Sequence, residues 1–482
     1  MAEDLTRNQE IKEEPIQEYD LTEWKAEMLR KINEILTGQE KVVVSLAGAS
    51  ASGKGEASDQ LKRELENEGK RILVISTDDF YRGIARMLVE KLTGYIDISS
   101  INIGEFMDKI QVIISDKDFP DKFDSDTLDR VKDYLTEIDF QGDIDSVANG
   151  LVTEFNSIDF DNPDAVDLEA LDTAIGALKN DQEVALPIYS MKKCEPSGEK
   201  TVSGKNYDVI LVEGIYGLNS EATGKTDIKS FIESDLRTLL MRRMRRDVIG
   251  GRAPFPPELS LWITLEIVLP AYQKYTLPDR SKADMVLKND FTLKETFDTA
   301  SYDVQDKIPL TAEESAALIG KFGKPSTEVT QEDYYYTNDA EGHNPDHLIR
   351  ARVENGKLKD LIHKGSKISR SDSKIFRPTE TYIQPGQFGD KFKNPKNLEA
   401  SFQKAGFRLA GILKKKRQVY RVGNIEVNYD EIEGLGSYLE LRTNNKIGRT
   451  PEIDAFEKDY GLSDRSPVGP YVDEYLAKSA LK

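Results

Sequence analysis

The feature that most constrains this chain is a strand pattern that breaks into a glycine-rich loop and then a helix, over residues 41–54. The strand part reads KVVVSLA, an apolar run without polar alternation, which is typical of a parallel strand covered on both faces. The loop part reads GASASGK, in which Gly48 and Gly53 bracket a turn and Lys54 adds a positive charge. Inward backbone N–H groups, this lysine and the helix N-terminus all favour an anion, so the segment predicts a site for nucleotide phosphates.

One position departs from the usual pattern of such loops. The residue after the lysine is ordinarily Ser or Thr, whose hydroxyl binds Mg²⁺, and here it is Gly55, followed by Glu56. Because Mg²⁺ habitually keeps several waters, a water can take the vacant position, although the ion is then held less firmly. The pattern therefore indicates phosphate binding more strongly than turnover.

Length and charge limit the class of protein. A chain of 482 residues exceeds what one core usually supports, so we expect two or three domains. The net charge of −20 argues against non-specific binding to nucleic acid or to anionic membranes. With Cys194 as the single cysteine no internal disulfide can form, and no apolar run is long enough to span a membrane. We expect a cytoplasmic protein in which residues 1–19 form a disordered acidic lead.

Two further buried-strand patterns end in acidic residues. Residues 71–76 lead to Asp78, and residues 207–212 lead to Glu213. Since α/β folds bind ligands at the carboxyl ends of parallel strands, we expect Asp78 to accept the proton of a substrate hydroxyl and Glu213 to support Mg²⁺. The alternatives are a helix N-cap at Asp78 and a solvated strand end at Glu213.

Arginines crowd one predicted helix and the turn after it. In an acidic chain such a cluster predicts a lid whose guanidinium groups neutralise a transferring phosphoryl group, and the alternative is a solvated basic face. Its members are Arg242, Arg243, Arg245, Arg246 and Arg252. Residues 83–157 are helical and acidic in pattern, which fits either a small subdomain that caps the site or an insertion without a function there.

The order of these motifs resembles the uridine kinase and phosphoribulokinase group of P-loop kinases over about 40–290. The motifs are GASASGK at 48–54, STDDFY at 76–81, FDNPDA at 160–165, PIY at 187–189, VEGI at 212–215 and RRMRRD at 242–247. The resemblance implies ATP with Mg²⁺, catalytic roles for Lys54, Asp78, Arg243 and Arg246, and metal contacts from Asp78 and Glu213. It implies nucleotide contacts from Gly48, Ser50, Ser52, Gly53, Lys54, Gly55 and Glu56, and acceptor contacts from Tyr81, Asp161, Tyr189 and Arg252.

The departures from that group concern the acceptor. Uridine kinases follow the Tyr189 position with an aspartate and later with a histidine and an arginine that contact the base, whereas this chain has Ser190, Cys194 and Pro196. The acid that would accept sugar hydroxyls, Asp161, is present. A pocket built for one polar partner rejects others strongly, so the chain favours a polyol or a different nucleoside over uridine.

From about residue 300 the pattern changes to short alternating runs, which predict antiparallel strands. Charged residues recur at alternate positions, as in the pairs Arg350 with Arg352 and Lys415 with Arg417, and each pair therefore shares one face of its strand. A polar strand face usually lies outside, in water. The alternative is that these charges line the inside of a barrel.

This half resembles the CYTH, or triphosphate tunnel metalloenzyme, family over about 300–477. The resemblance rests on QEDYY at 331–335, LIRAR at 348–352, HKG at 363–365, KKRQVY at 415–420 and DEIEGLGSYLE at 430–440. It implies an eight-stranded tunnel in which metal is held by Asp430 and Glu440 and a triphosphate is gripped by Lys307, Arg350, Arg352, Lys364, Lys415 and Arg417.

The metal side of this tunnel departs from the family. Its opening Glu-x-Glu-x-Lys motif maps onto Asp303, Gln305 and Lys307, and the second acid of its last pair maps onto Arg442. An amide and a guanidinium in place of carboxylates weaken the binding of a divalent cation. The tunnel is therefore expected to bind a phosphorylated ligand, with hydrolysis left open.

The predicted architecture is an α/β P-loop kinase domain with a parallel sheet and a helical insert at 20–295, followed by an α+β antiparallel tunnel domain at 300–477. Our leading hypothesis is a kinase acting on a nucleoside or sugar hydroxyl, fused to a tunnel for phosphate-rich ligands. The alternatives are tripolyphosphate or pyrophosphate hydrolysis in the tunnel, and a non-catalytic sensor of nucleotide and polyphosphate. Expected partners are small molecules, without nucleic acid or membrane, and the oligomeric state is left open.

Overall fold

The computed structural model describes most of the chain. The described residues are 16–83, 86–87, 90–91, 129, 132–133, 135–137, 143–157, 159, 161–190, 195–219, 224–251, 256–290, 301–339, 348–364, 368–369, 375–389, 391–392, 394–442, 451–463 and 471–480. Most of the predicted insert at 83–157 lies outside these ranges, so its capping role stays a prediction.

The first half alternates strands and helices. In chain order its elements are β1 (Gln17–Tyr19), α1 (Leu21–Leu36), β2 (Val42–Gly48), α2 (Lys54–Asn67), β3 (Ile72–Ser76), α3 (Ile144–Ser157), α4 (Leu168–Lys179), β4 (Glu183–Ser190), β5 (Glu195–Ser203), β6 (Val209–Gly214), β7 (Ile228–Glu233), α5 (Leu236–Met244), α6 (Pro257–Ile263) and β8 (Met285–Lys288). Strands β4 and β5 form an antiparallel hairpin.

Six of these strands form one parallel sheet in the order β1-β8-β7-β2-β6-β3. Strand β2 lies inside the sheet and all seven of its residues are buried, which is why its sequence carries no polar alternation. Helix α1 covers one face through Trp24, Met28 and Ile32, and the indole of Trp24 donates a 2.7 Å hydrogen bond to Ser230 Oγ. The predicted α/β fold of this half is confirmed.

The N-terminal edge of the sheet corrects one expectation. The predicted disordered lead included residues 17–19, but these form β1 and pair with β8, Gln17 opposite Met285. Asp20 follows as the N-cap of α1 and accepts from the backbone N–H groups of Thr22 and Glu23. Residues 1–15 lie outside the described part of the chain, so the prediction is wrong for the strand and untested before it.

The second half is mainly antiparallel. Its elements are β9 (Ser301–Leu310), α7 (Ala312–Phe322), β10 (Thr327–Thr337), β11 (Leu348–Glu354), β12 (Lys357–Lys364), β13 (Ile368–Ser369), β14 (Ile375–Ile383), α8 (Pro395–Lys404), β15 (Arg408–Val422), β16 (Ile425–Ile432), β17 (Gly436–Arg442), α9 (Pro451–Asp459) and α10 (Tyr471–Ala480). The strand order is β12-β11-β10-β15-β16-β17-β9-β14-β13, and β14 also pairs with β12. This antiparallel sheet fits the predicted tunnel fold.

An apolar cluster joins the two halves. It contains Leu239 and Leu261 from the kinase-like half, and Tyr382 and Phe402 from the second half. Beside it, Arg245, just after α5, donates to Glu380 on β14 through Nε at 2.8 Å and Nη2 at 3.0 Å. The hydroxyl of Tyr382 donates to the same carboxylate at 2.8 Å. A partly buried, bidentate ion pair therefore fixes the second sheet to the arginine-rich helix.

Within the described ranges, the helices lack the combination of length and apolar content that crossing a bilayer requires.

The Arg245–Glu380 pair generates a stability prediction. Glu380→Gln keeps the shape of the side chain but removes the negative charge of the Arg245–Glu380 pair, so we expect destabilisation by about 3–5 kcal/mol. Urea unfolding followed by tryptophan fluorescence measures this, because Trp262 lies beside the apolar cluster. The exposed Glu433 on a turn provides the matched control, and Glu433→Gln should change stability by less than about 0.5 kcal/mol. Equal unfolding midpoints for the two variants would contradict the assigned role of the pair.

Candidate functional site

The phosphate loop lies where the sequence placed it, between β2 and α2. Gly48 and Gly53 have positive φ angles of 154° and 94°, which bend the loop. At Gly48 a side chain would not fit, because its Cβ would lie 2.3 Å from the carbonyl oxygen of Ile232. The N-cap residue of α2 is Gly53, which provides no side-chain cap, so the first N–H groups of this helix face the loop without one. These are the conditions under which a helix N-terminus binds phosphate.

Lys54 lies inside this loop. Its Nζ donates to the carbonyl oxygens of Gly48 at 3.0 Å and Ala49 at 2.8 Å. Burial lowers the pKa of this ammonium, and the carboxylates of Glu213 and Asp78 oppose the shift. The hydroxyl of Ser52 is fully buried and has no hydrogen-bond partner among the described residues. A desolvated cation beside an unpaired buried donor is suited to an incoming oxyanion.

The predicted acids stand at the ends of adjacent strands. Glu213 on β6 pairs in register with Ser76 on β3 and accepts a 2.9 Å hydrogen bond from its hydroxyl. Asp78 follows two residues later, in a short 3-10 turn at Thr77–Phe80, and its backbone N–H donates to Ser76 Oγ. Both carboxylates act on Lys54 electrostatically. The parallel sheet therefore brings the loop and these two acids to one edge.

Asp161 lies beside this cluster with two tyrosines. The hydroxyl of Tyr81 is 3.5 Å from Asp161 Oδ1, and the hydroxyl of Tyr216 donates to the Asp161 carbonyl. Burial raises the pKa of Asp161 to about 6, against the opposing charge of Arg243. The ring of Tyr189 packs 5.7 Å from that of Tyr81. The four predicted acceptor residues thus come together, except Arg252, which lies outside the described residues.

The arginine cluster divides into different roles. Arg243 Nη1 donates to Ser50 Oγ of the phosphate loop at 2.9 Å, and Arg246 donates to Asp247 at 2.7 Å while its charge acts on Lys54. Arg242 donates to the carbonyl of Asn289 at 2.7 Å. Arg245 points away, to Glu380, so its inclusion in a phosphate lid is wrong. Arg243 and Arg246 are three residues apart and share one side of the helix, whereas Arg245 follows Arg243 by two residues and lies on the other side. A π-helical turn spans Arg245–Ile249.

A magnesium ion fits this edge on the chemistry of the donor set. Asp78, Glu213 and the Ser76 hydroxyl supply oxygen ligands or anchors for metal-bound water. At Gly55 an added Cβ would meet nothing within 4 Å, so the position has room for the water that replaces the usual hydroxyl. Among the described residues no group of three or more His, Cys, Asp or Glu side chains is placed to hold a metal without a ligand's help.

The alternating charges of the second half face inward and are buried. Arg352 donates to both oxygens of Asp333 at 2.6 and 2.8 Å, and Lys415 lies 3.7 Å from the same carboxylate. Arg350 donates to Asp360 at 2.6 Å. Burial, with the nearby charges of Arg417 and Arg352, lowers the pKa of Lys415 to about 7. The interior face therefore carries a desolvated cluster of cations. This agrees with the alternative that the charges line the inside of a barrel, and not with an exposed polar face.

The two predicted metal acids of the tunnel are already paired. Arg417 donates to Asp430 at 2.7 and 2.6 Å and to Glu440 Oε1 at 3.1 Å, and Arg442 donates to Glu440 Oε1 at 2.7 Å. Lys307 lies 3.5 Å from Glu440 Oε2. Burial raises the pKa of Glu440, but Arg417 and Arg442 outweigh it and hold that pKa well below its usual range. These residues do not fit a divalent metal, because guanidinium groups occupy the oxygens that would bind it.

Helix α10 packs on the same interior face. Val472 and Leu476 join an apolar cluster with Leu413 and Tyr438 from the strands. The ring of Tyr471 lies under Lys307 Nζ, 5.1 Å from the ring centroid to the amine, and Lys415 lies at 5.7 Å. Such cation–π contacts stabilise buried ammonium groups. The tunnel's cations are thus held from both the strands and the C-terminal helix.

Some predicted residues lie outside the described structure, and some residues of the two sites were not predicted. The side chain of Lys364 and those of Asp303 and Gln305 lie outside what the structure describes, as do Cys194 and the two loop histidines, His343 and His347. Four residues that contact the two candidate sites were not predicted from the sequence. One of them, Asp333, lies within the QEDYY motif and could have been identified there. The other three carry no local signal, since they reach their sites only through the fold: Tyr216, Asn289 and Tyr471.

Comparison with protein families supports the two halves separately. The model of the phosphoribulokinase / uridine kinase family matches residues 146–293, and the CYTH domain model matches residues 306–466. The kinase-family match thus begins after the phosphate loop. Both resemblances drawn from the motifs are confirmed.

Two curated relatives and one solved structure illustrate this similarity. Inorganic pyrophosphatase TTM1 of Arabidopsis thaliana is 24% identical over 284 residues, which are 59% of this chain and 42% of that protein. Uridine-cytidine kinase B of Dictyostelium discoideum is 27% identical over 247 residues, 51% of this chain and 73% of that protein. The chain thus spans about two fifths of the pyrophosphatase. The structure of a possible uridine kinase from Bacillus stearothermophilus has 16% identity and a TM-score of 0.28, covering 54% of this chain and 99% of that chain.

Asp161 generates a pH prediction. Its pKa in the folded protein is about 6, above the value of 3.8 for an ordinary aspartate. Between these two pH values the folded protein binds a proton that the unfolded chain releases, so stability falls as pH rises through this window. Asp161→Asn cannot ionise, and its melting temperature should exceed that of the wild type above pH 6 and equal it below about pH 4.

Asp164 is exposed three residues away and serves as the matched control, with Asp164→Asn expected to leave the pH profile of the melting temperature unchanged. A wild-type profile parallel to that of Asp161→Asn across pH 4–8 would contradict the burial argument.

Proposed function

We propose that this chain, which joins a phosphoribulokinase/uridine kinase domain to a CYTH domain, transfers phosphate from ATP to a nucleoside or sugar hydroxyl and binds a phosphate-rich ligand in its tunnel. The observation that carries the kinase proposal is the convergence of opposite charges at one edge of the parallel sheet. The charges of Glu213, Asp78, Asp161 and Arg246 all act on Lys54 there. Phosphoryl transfer requires such positioning and charge neutralisation more than any covalent chemistry.

On the donor side, Lys54 exchanges its two carbonyl partners for the β- and γ-phosphates of ATP. These carbonyl bonds hold the ammonium at the loop in the absence of nucleotide, so little reorganisation is needed when the phosphates arrive. The N–H groups at the start of α2 and the unpaired Ser52 hydroxyl supply further donors. Arg243, which reaches Ser50 of the loop, neutralises charge on the transferring group together with Arg246.

On the acceptor side, Asp78 takes the proton of the attacking hydroxyl. It stands at the end of β3 next to the phosphate loop, whereas Asp161 lies farther along the site with Tyr81. Asp161 orients the acceptor through a second hydroxyl, and the neighbouring rings of Tyr81 and Tyr189, tilted by 45°, provide an aromatic wall. Magnesium held near Asp78 and Glu213 would offset phosphate charge when bound.

A second function, ligand binding in the tunnel, is supported by the buried cations on its inner face. Lys415 and Arg417 are each about nineteen-twentieths buried, and buried cations interact strongly with a polyanion. Hydrolysis of tripolyphosphate or pyrophosphate is less well supported, because Asp430 and Glu440 are engaged by arginine. Calorimetric binding of inorganic tripolyphosphate to the full chain tests this second proposal.

Lys54→Ala tests the kinase proposal. Removing one charge from the developing phosphate oxyanion should lower the rate of ADP release by about 100- to 1,000-fold. The assay uses the full chain with ATP and Mg²⁺ against a panel of nucleosides, sugars and polyols. Arg63→Ala, on the exposed side of the same helix, is the control and should retain wild-type activity. Absence of ADP release by the wild type with every acceptor would overturn the proposal.

Gly55→Ser gives a complementary gain-of-function prediction. The position is exposed and open, so the serine fits without displacing a neighbour. A hydroxyl there restores the usual Mg²⁺ ligand, and we expect half-maximal activity at a Mg²⁺ concentration lower by about tenfold. Gly55→Ala has the same Cβ without the hydroxyl and should leave the Mg²⁺ dependence unchanged. Identical Mg²⁺ titrations for the serine and alanine variants would show that this residue does not approach the metal.

A further inference from the structure

The interior of the tunnel contains an arrangement of charge that its family resemblance does not explain. Asp430 and Glu440, the acids expected to hold metal, are 0% and 2% exposed and make contacts with positively charged groups. Arg417 is the common partner, since its Nη2 lies 2.6 Å from Asp430 Oδ2 and 3.1 Å from Glu440 Oε1. One guanidinium therefore bridges the two carboxylates, in the manner of a shared cation.

Arg442 completes this arrangement from the next inward position of β17. It lies two residues after Glu440, so both side chains belong to one face of the strand, and its Nε donates to Glu440 Oε1 at 2.7 Å. Arg442 pairs in register with Gln305 of β9, while Glu440 pairs with Lys307. At these two positions the described side chains are the guanidinium of Arg442 and the ammonium of Lys307, which both contact Glu440. The chain therefore places fixed positive charge at the end of the tunnel where a divalent ion would sit.

Two acids of the inner face are each shared by several cations. Asp333 lies within 4 Å of three cationic groups, and so does Glu440. The cations of this face are Lys307, Arg350, Arg352, Lys415, Arg417 and Arg442, and the carboxylates that they contact are Asp333, Asp360, Asp430 and Glu440. A polyphosphate that enters there meets clustered cations, among them guanidinium groups whose bidentate geometry suits phosphate oxygens.

We propose that this tunnel binds the triphosphate or pyrophosphate group of its ligand without a divalent metal, with Arg417 and Arg442 in the place of the ion. The inference rests on the proposed function of the tunnel as a phosphate-binding site and specifies how that site works. Fixed guanidinium groups neutralise the ligand but supply no activated water, so the tunnel retains a polyphosphate rather than cleaving it. Arg442 is on this account a specificity-determining residue, since it excludes the metal and contacts the anion.

The test compares binding of inorganic tripolyphosphate to the full chain in EDTA and in Mg²⁺ or Mn²⁺, by calorimetry. All proteins carry Lys54→Ala, so that the phosphate loop does not contribute to the signal. We expect the Lys54→Ala protein to bind in EDTA with an affinity that added metal does not raise. Lys415→Met should weaken that binding by about 10- to 100-fold, which assigns it to the tunnel.

Arg442→Glu reverses the charge and restores a carboxylate next to Glu440. Its binding of tripolyphosphate in EDTA should be about 10- to 100-fold weaker and should recover with Mn²⁺. Titration with Mn²⁺ alone, followed by electron paramagnetic resonance, should show one more bound ion than in the Arg442 protein. Arg421→Glu makes the same charge change at an exposed position of β15 and should alter neither result. Arg442→Ala, read by the same two titrations, replaces Arg442→Glu if the latter does not fold, and it should still gain Mn²⁺ binding.

The outcomes separate the inference from the function on which it rests. Binding that requires metal in the Arg442 protein, or an Arg442 variant that gains no Mn²⁺, would overturn the metal-free tunnel and leave phosphate binding standing. Absence of tripolyphosphate binding with and without metal, or binding that Lys415→Met does not change, would instead overturn the proposed function of the tunnel.

Discussion

The constraint on which this structure depends is that a buried charge must be balanced inside the protein. Removing an ion from water is costly, and only close opposite charges and hydrogen bonds compensate for it. In the first half Lys54 is buried among loop carbonyls with the carboxylates of Glu213 and Asp78 nearby. In the second half Arg417 is buried between Asp430 and Glu440. Both sites are therefore preorganised for an anion, but they are balanced in different ways.

The difference between the sites explains their proposed roles. In the kinase-like half Glu213 accepts a hydrogen bond from the Ser76 hydroxyl, and Asp78 lies in the short turn after β3. In the proposed function these two carboxylates serve a metal-bound water and a proton. In the tunnel, arginine side chains form ion pairs with Asp430 and Glu440, which favours the proposed retention of a polyphosphate over its hydrolysis. The Arg245–Glu380 pair and the apolar cluster around Phe402 join the sheet that carries the tunnel to the helix that carries Arg243. This contact gives the two ligand sites a direct structural connection.

Sequence alone predicted what local patterns encode. Apolar runs without alternation and the glycine-rich loop predicted the strand–loop–helix unit at Lys54 and the strand ends at Asp78 and Glu213. The alternating cations of β15 follow from a period of two residues. Strand β1 was missed because three polar residues pair only through β8. The direction of Arg245 was missed because the arginines were treated as one group, although Arg245 follows Arg243 by two residues and therefore lies on the other side of the helix. Tyr471 contacts the tunnel cations through long-range packing, which spacing along the chain does not reveal, whereas Asp333 stood within the QEDYY motif and could have been found.

The central claim is that the loop ending at Lys54 holds the phosphates of a nucleotide. A crystal structure of the full chain with a non-hydrolysable ATP analogue tests it most directly. We predict that Lys54 Nζ leaves the carbonyl oxygens of Gly48 and Ala49 and forms hydrogen bonds with the β- and γ-phosphates. The N-terminus of α2 should face these phosphates. A structure grown at saturating analogue in which Lys54 keeps both carbonyl bonds and no phosphate occupies the loop would contradict it.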